Sequence, residues 1–307
     1  MRYVTLKQLR SLEAVVRSGS FAGAAELLHV TPPAVTVQMR QLEEAAGLPL
    51  VERLADGIRL TSAGREVLAT VERIELALTD CIQALDEMRN AGRGEVAVGV
   101  ISTAKYFAPR ALAEFRRRFP GLTLKLFIGN RSEIIEQLRA GRIDVAIMGR
   151  PPEDLAVSQW PIGAHPHVII AAPDHPLAAA RGLSPADLTG ESFLLREPGS
   201  GTRGLMERLF AANGVQPNIG FEIGSNETIK QAVMAGLGIA FISAHTIAAE
   251  LKDGRLVTLD VAGLPILREW YVVHLRDRRL LPAPRALADF LAEEGAHYLP
   301  HPPGLAA

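Results

Sequence analysis

The chain has 307 residues, enough for roughly two domains that each bury a core. Apolar residues make up 48% and charged residues 22%, which excludes a disordered or membrane-embedded composition. The formal net charge is −1, and residues 1–60 hold seven Lys/Arg against six Asp/Glu, so any DNA contact must rest on placed arginines rather than bulk charge.

Residues 1–60 read as short helices followed by a hairpin. Leu6, Leu9, Leu12, Val15 and Val16 recur at helical spacing until Ser18-Gly19-Ser20 breaks the pattern. Ser20 caps a second helix with Phe21, Ala24, Ala25 and Leu28 on one face. His29-Val30-Thr31 makes a tight turn, with Thr31 as the next N-cap and Pro32 at the first helical position, where its missing N–H costs nothing. That third helix carries Ala34, Val35, Met39 and Leu42 and stops near Gly47-Leu48-Pro49; Asp56-Gly57 then signals a hairpin turn. Helix, turn, helix and hairpin describe a winged helix-turn-helix.

Residues 62–90 read as one long helix in which Val67, Val71, Ile74, Leu78, Cys81, Leu85 and Met88 form a heptad seam. Such a seam serves either a partner helix in a dimer or packing against its own domain. Asn90-Ala91-Gly92-Arg93-Gly94 reads as a hinge.

From residue 95 strands and helices alternate. Strands are expected at Glu95–Ile101, Leu122–Ile128, Ile143–Met148, His167–Ala172, Ser192–Leu195, Ile219–Ile223, Ile239–Ser243 and Leu267–His274. Helices are expected at Pro109–Phe119, Glu133–Ala140, 203–213, 227–235 and Ala283–Glu294. The alternation predicts parallel sheets with right-handed crossovers. The expected fold class is α/β, with two Rossmann-like lobes joined by crossover strands behind an all-α-type winged helix-turn-helix. The expected boundaries are 1–60 for DNA binding, 61–91 for a linker and dimerisation helix, and 92–307 for an effector domain. Within that domain lobe I comprises 92–161 and 267–295, and lobe II 162–266.

Several residues sit where chemistry is expected. The exposed N-terminal side chains of a recognition helix face base edges; here they are Thr31, Pro32, Pro33, Thr36, Val37 and Arg40. Thr36 offers a hydroxyl, and the methyls of Val37 and the Pro32 ring suit a thymine methyl, or else simply shape the helix. Arg53 and Arg59 on the hairpin suit phosphates or a narrow minor groove. Further along, Ser102, Thr103, Thr202, Arg203, Asn226, Glu227 and Thr228 lie where strands hand over to helices, where free N–H groups favour anions. Lys105, Arg131 and Arg150 would add positive charge. Plain N-capping is the alternative for the hydroxyl residues.

Gly199-Ser-Gly201-Thr-Arg-Gly204 matches G-x-G-x-x-G, with Glu222 eighteen residues after Gly204. Taken alone it admits an NAD(P)-dependent oxidoreductase, although no acid/base partner accompanies it. His165, His167 and His175 stand beside prolines without acidic or cysteine ligands, so no metal site is expected. Cys81 is the only cysteine, which excludes an intrachain disulfide and fits a reducing compartment. Arg10, Glu13 and Arg17 interrupt the N-terminal apolar runs, and Ala232–Ile242 is too short to span a bilayer, so a cytoplasmic location without membrane contact is expected.

The N-terminal ninety residues resemble the LysR family of transcription regulators. The resemblance is carried by Leu9-x-x-Leu12, Ser18-x-Ser20-Phe21-x-x-Ala24-Ala25, Leu28-x-Val30-Thr31-x-Pro33-Ala34-Val35-Thr36, Leu42-Glu43 and Leu60-Thr61-x-Ala63-Gly64. The remainder is similar to that family's effector domain, which implies a periplasmic-binding-protein-like fold. Three stretches resemble regulators of carbon-dioxide-fixation (RuBisCO) operons: Thr103-Ala-Lys105-Tyr-Phe-Ala-Pro109, Leu195-Arg-Glu-Pro-Gly-Ser-Gly-Thr-Arg203 and Gly224-Ser-Asn-Glu-Thr-Ile-Lys230. The resemblance implies a non-enzymatic regulator with operator DNA as one partner and a small anionic effector as the other. It further implies antiparallel pairing of the long helices in a homodimer and assembly to a homotetramer. Sugar phosphates, phosphoenolpyruvate, ATP and NADPH are the implied effector candidates, and no bound cofactor is expected.

Overall fold

Thr5 opens the first helix by accepting from the Gln8 N–H while the Gln8 side chain returns a bond to the Thr5 N–H, a reciprocal cap. In the computed structural model, which describes residues 4–54, 57–89 and 94–304, this helix is α1 (Leu6–Ser18). It is followed by α2 (Phe21–Leu28), α3 (Pro32–Ala46), β1 (Val51–Leu54), β2 (Gly57–Leu60) and α4 (Ser62–Arg89). β1 and β2 pair as the expected antiparallel hairpin; residues 55 and 56 of its turn lie outside the described residues, as do 90–93 of the expected hinge. Leu12, Val15, Ala24, Val35, Met39, Leu42 and Leu50 fill one core, and Val67, Val71 and Ile74 of α4 pack on it.

Local contacts account for the sequence pattern. Ser20 accepts from the Gly23 N–H and starts α2, whereas Thr31 occupies the α3 cap position without making a side-chain cap. Glu43 accepts from the Leu50 and Val51 N–H groups and so anchors the strand to α3. The Thr61 hydroxyl donates to Pro49 O and accepts from the Gly64 N–H. A Cβ at Gly64 would lie 1.9 Å from Leu50 O, so only glycine permits this approach of helix to strand.

The chain divides into two compact units, Met1–Ile82 and Gln83–Ala307. In the second unit, β3 (Glu95–Ile101), α5 (Ala108–Arg118), β4 (Thr123–Gly129), α6 (Arg131–Arg139) and β5 (Val145–Met148) begin one lobe. The long strand β6 (Val157–Ala171) then crosses to the other. There follow β7 (Ser192–Arg196), α7 (Gly201–Ala212), β8 (Asn218–Ile223), α8 (Asn226–Met234), β9 (Ala240–Ser243), α9 (Ala248–Lys252) and β10 (Val257–Thr258). β11 (Ile266–Leu275) returns alongside β6, and α10 (Pro282–Glu294) closes the first lobe.

The expectation of parallel sheets holds only in part. β3 pairs in parallel with β4 and β5, and β7 with β8. β11, however, runs antiparallel to both β5 and β6, and β6 antiparallel to β9 and β10. The reason is geometric: strands that leave one lobe and return to it must lie head to tail. The register of β6 against β11 shifts at Trp270/Tyr271. Separate apolar cores lie in the two lobes, one around Phe107, Phe115, Ile147 and Leu287, the others around Phe193, Phe210 and Ile229.

Candidate functional site: a cationic cleft and an exposed recognition helix

Within the second unit, two helix N-termini meet across the lobes. Asn130 caps α6 by accepting from the Glu133 N–H, and Glu133 returns a bond to the Asn130 N–H. Ser200 caps α7 by accepting from the Arg203 N–H. The Ser132 N–H donates to Gly199 O at 3.3 Å. Gly199 adopts a φ of +85°, and a Cβ there would stand 3.0 Å from the Ser132 hydroxyl, so glycine satisfies both the turn and the close approach.

Between these termini lies a cavity of about 200 Å³. Ser102 and Thr103 line it from the end of β3, Asn130, Arg131 and Ser132 from α6, and Gly199 to Thr202 from the α7 turn. His165, His167 and Arg268 of the crossover strands, together with Arg150 and Arg208, complete the wall. Arg196 also lines it, 3% exposed, with its guanidinium bonded to Asn226 Oδ1 at 2.5 Å, the Ser102 hydroxyl at 3.1 Å and Glu197.

Five guanidinium groups therefore surround a space the size of a small metabolite. Arg196 and Arg150 have carboxylate partners, Glu197 and Glu153. Arg131 spends two N–H groups on the carbonyls of Arg150 and Pro151. Among the described residues, Arg131, Arg208 and Arg268 form no ion pair. Burial and then the neighbouring Arg150 lower the Arg131 pKa from its ordinary value; burial, Arg150 and Arg268 do the same at Arg208. Like charges crowded beside two helix N-termini create a demand for an anion.

The imidazoles of the cavity wall are neutral. His165, 3% exposed, stacks on Trp270 with ring centroids 3.7 Å apart and bonds the Ser243 hydroxyl through Nε2 at 2.9 Å. Burial, with His167 and His245 adding repulsion, holds its pKa well below the usual imidazole range. Burial lowers His167 to about 3 and His245 to about 4. His165 and His167 are thus buried residues of β6, which begins well before the strand expected from His167, because Pro161 and Pro166 sit within a strand paired to β11.

The sequence-predicted effector residues divide between two places. Ser102, Thr103, Arg131, Arg150 and Thr202 line the cavity. Arg203 does not: its guanidinium turns to Glu207, to Glu222 at 2.6 Å and to Arg196 O. Lys105 stands 5.2 Å from the Tyr106 ring centroid. Asn226 is reached only through Arg196, and Thr228 gives its N–H to Ser225, the α8 cap. Glu227 belongs to a separate contact between the lobes, pairing with Lys230 at 2.8 Å and with the Tyr106 hydroxyl. Asn130, Ser132, Arg196, Arg208 and Arg268 were missed. Asn130-x-x-Glu133 after a strand is a capping-box signal available in the sequence; Arg208 and Arg268 carry no such mark.

In the first unit, Thr31, Pro32, Pro33, Thr36, Val37 and Arg40 are all exposed along one side of α3. The Thr36 hydroxyl donates to Pro32 O within the helix at 3.1 Å. Arg40 pairs with Glu44 at 3.6 Å, and Arg59 with Glu52 at 3.0 Å. The side chain of Arg53 lies outside the described residues. Such exposed pairs are weak and yield readily to a phosphate.

Residues 6–65 match the family described as bacterial regulatory helix-turn-helix protein, lysR family, and residues 89–296 match the LysR substrate binding domain. The chain belongs to the LysR family of transcription regulators. It is 56% identical over 302 residues to the HTH-type transcriptional regulator CbbR of Xanthobacter flavus, covering 98% of this chain and 91% of that protein. It is 44% identical over 294 residues to the RuBisCO operon transcriptional regulator of Allochromatium vinosum, covering 96% and 97%. Among solved structures it resembles the Synechocystis PCC6803 CcmR regulatory domain in complex with 2-PG, with a TM-score of 0.62 and 37% identity over 64% of this chain and 95% of that one. The regulator is thus closely related to the CbbR and CfxR type. Its similarities are to DNA-binding regulators, not enzymes. In keeping with this, Glu222, which a dinucleotide fingerprint would offer to a ribose, is ion-paired with Arg203. Among the described residues no helix is long and apolar enough to cross a membrane.

Proposed function

We propose that this regulator controls carbon-fixation genes in response to a small multiply charged anion bound between the lobes of its effector domain. The observation that carries the reading is the cluster of Arg131, Arg150, Arg196, Arg208 and Arg268 around the N-termini of α6 and α7. A cavity of about 200 Å³ lined by guanidinium, hydroxyl and helix N-terminal groups suits a compact phosphorylated acid. The 2-PG in the CcmR regulatory domain is in keeping with such a ligand. Ser102, Thr103 and Thr202 would supply hydroxyl contacts, and the arginines charge.

On the DNA side, Thr31, Pro32, Pro33, Thr36, Val37 and Arg40 would face an operator's major groove, with Arg53 and Arg59 on the flanking backbone or minor groove. The protein would act as a homodimer, assembling to a homotetramer. Support comes from the outer half of α4, where Ile82 is 62% and Leu85 54% exposed, while the inner half packs on its own core. Effector binding would shift the balance between two lobe arrangements by its difference in affinity for them.

The experiment is quantitative footprinting on a RuBisCO-operon promoter with and without 2-PG. Protection whose extent or spacing changes with 2-PG is expected. Absence of any protected site would remove the carbon-fixation reading.

A further inference from the structure

The lobes also touch outside the cavity lining. The single turn Ala104–Tyr106 of the first lobe follows directly on Ser102 and Thr103 and brings Tyr106 to α8 of the second. There the ring centroid lies 5.0 Å from Lys230 Nζ, and the Tyr106 hydroxyl donates to Glu227 Oε2 at 3.4 Å. A cation at this separation from an aromatic face is attracted to it, the more so when it is withdrawn from water. Lys230 is 3% exposed.

Lys230 is also tied to its own lobe. Its ammonium is held by Glu227 at 2.8 Å and by the buried Glu250 of α9 at 2.9 Å. A solvent-exposed lysine would swing on its four-carbon stem and follow a moving partner. This one stays with α8, so its contact with Tyr106 exists only while the lobes are joined as they are here.

We propose that Tyr106 is an interlobe latch, whose contact with Lys230 and Glu227 sets the balance between joined and parted lobes before any effector binds. The inference rests on the reading that the effector shifts two lobe arrangements. Tyr106, Glu227 and Lys230 do not line the cavity, so the latch never competes with a ligand and acts by positioning alone. A ligand that binds the joined lobes has an apparent affinity scaled by the fraction already joined.

Both sides of the latch continue into the cavity wall. On one side Tyr106 shares a turn with Ser102 and Thr103, which line the cavity. On the other, Asn226, next to Glu227, is held by Arg196, which lines it too. With the latch closed, Arg196 and the Ser102 hydroxyl are in bonding contact at 3.1 Å.

Ser132 supplies a readout on a different helix. As the second residue of α6 it has no carbonyl of its own helix to bond, and its N–H donates to Gly199 O of the other lobe at 3.3 Å. Its hydrogen-exchange rate therefore follows the parted fraction.

The test is residue-resolved hydrogen exchange by mass spectrometry on the ligand-free full-length protein and two variants. Tyr106→Leu keeps apolar bulk but removes the aromatic face and the hydroxyl. It should speed exchange at Ser132 by about threefold to tenfold, while amides within β3 keep their wild-type rates. Tyr106→Phe keeps the ring over Lys230 and loses only the bond to Glu227, so its increase should be smaller, about twofold. It also covers the case in which Tyr106→Leu fails to fold. Wild-type exchange at Ser132 in every variant that folds, or an equal acceleration within β3, would overturn the latch. Saturating 2-PG or phosphoenolpyruvate should return Ser132 to slow exchange in all three proteins, because the ligand then joins the lobes itself. If neither anion slows it while the ligand-free rates differ as stated, the latch stands and the anion reading falls.

Discussion

Arg196, at the end of β7 in one lobe, donates to the Ser102 hydroxyl at the end of β3 in the other, at 3.1 Å. The same guanidinium holds Asn226 and Glu197, so one buried side chain ties the cavity wall, the α8 N-terminus and the opposite lobe together. A ligand that enters beside it touches the junction of the lobes.

Arg196→Ala should therefore weaken effector binding at least tenfold and also lower the stability of the unliganded effector domain by ~1–3 kcal/mol, since Asn226 loses a charge-assisted partner in a buried setting. Arg203→Ala, outside the cavity lining, releases Glu207 and Glu222 at the surface and the Arg196 carbonyl, and should leave effector affinity within threefold. Calorimetry and thermal melts on both variants check this. Equal losses of affinity would mean that Arg203 reaches the ligand after all.

For DNA, Arg59→Ala should weaken operator binding across sequences and flatten its salt dependence, because a phosphate contact carries little base information. Glu52→Gln frees Arg59 from its 3.0 Å partner and removes a repelling carboxylate, so it should tighten binding modestly. Thr36→Ala should instead change preference among operator variants. Titrations at several salt concentrations separate the three outcomes; unchanged binding in all of them would contradict the placement of this face on DNA.

Much of this organisation is visible in the sequence, for identifiable reasons. Element positions follow from periodicity: β3 was expected at Glu95–Ile101 and is found there, and α10 at Ala283–Glu294 starts one residue earlier. Caps are legible because the polar residue lies beside the groups it bonds, as at Ser20. The cavity arginines are harder, since Arg208 and Arg268 come together only when α7 and β11 pack, and no local spacing encodes that. Arg203 illustrates the converse. Its place at a helix start invites an anion, but Glu207 one turn on and Glu222 on the neighbouring strand take the guanidinium first. The antiparallel crossovers were missed because a strand's own residues do not state the direction of its neighbours.

The outer half of α4 makes a separate prediction. Ile82→Asp or Leu85→Asp should shift the protein toward monomer in light scattering, since a charge would replace an exposed apolar contact surface. Cys81 is exposed. In an antiparallel pair centred near residue 76 it would not face its own copy, so mild oxidation should give no rapid, quantitative disulfide dimer on a non-reducing gel. Such a dimer would argue for parallel helices.

Stability should also depend on pH through the buried imidazoles. His165, His167 and His245 have native pKa values below the ordinary 6.5, at about 3 for His167 and about 4 for His245. The unfolded chain takes up these protons first, so stability should be full above pH ~6.5 and fall as pH drops toward the native values. Each group adds a slope of up to ~1.4 kcal/mol per pH unit in that window. Melting temperatures from pH 7.5 to 5 should decline, and less steeply in His167→Gln. A flat profile would contradict the burial of neutral histidines in the native state.

The central claim, that a cluster of guanidinium groups holds a small anion between the lobes, is tested most directly by titrating 2-PG into the wild type and into an Arg208→Ala/Arg268→Ala variant. These two arginines have no carboxylate partner among the described residues, so their loss leaves no buried carboxylate unmatched. One anion per chain is predicted for the wild type, with affinity reduced at least a hundredfold in the double variant and melting temperature nearly unchanged. Equal affinity in the two proteins would contradict the account.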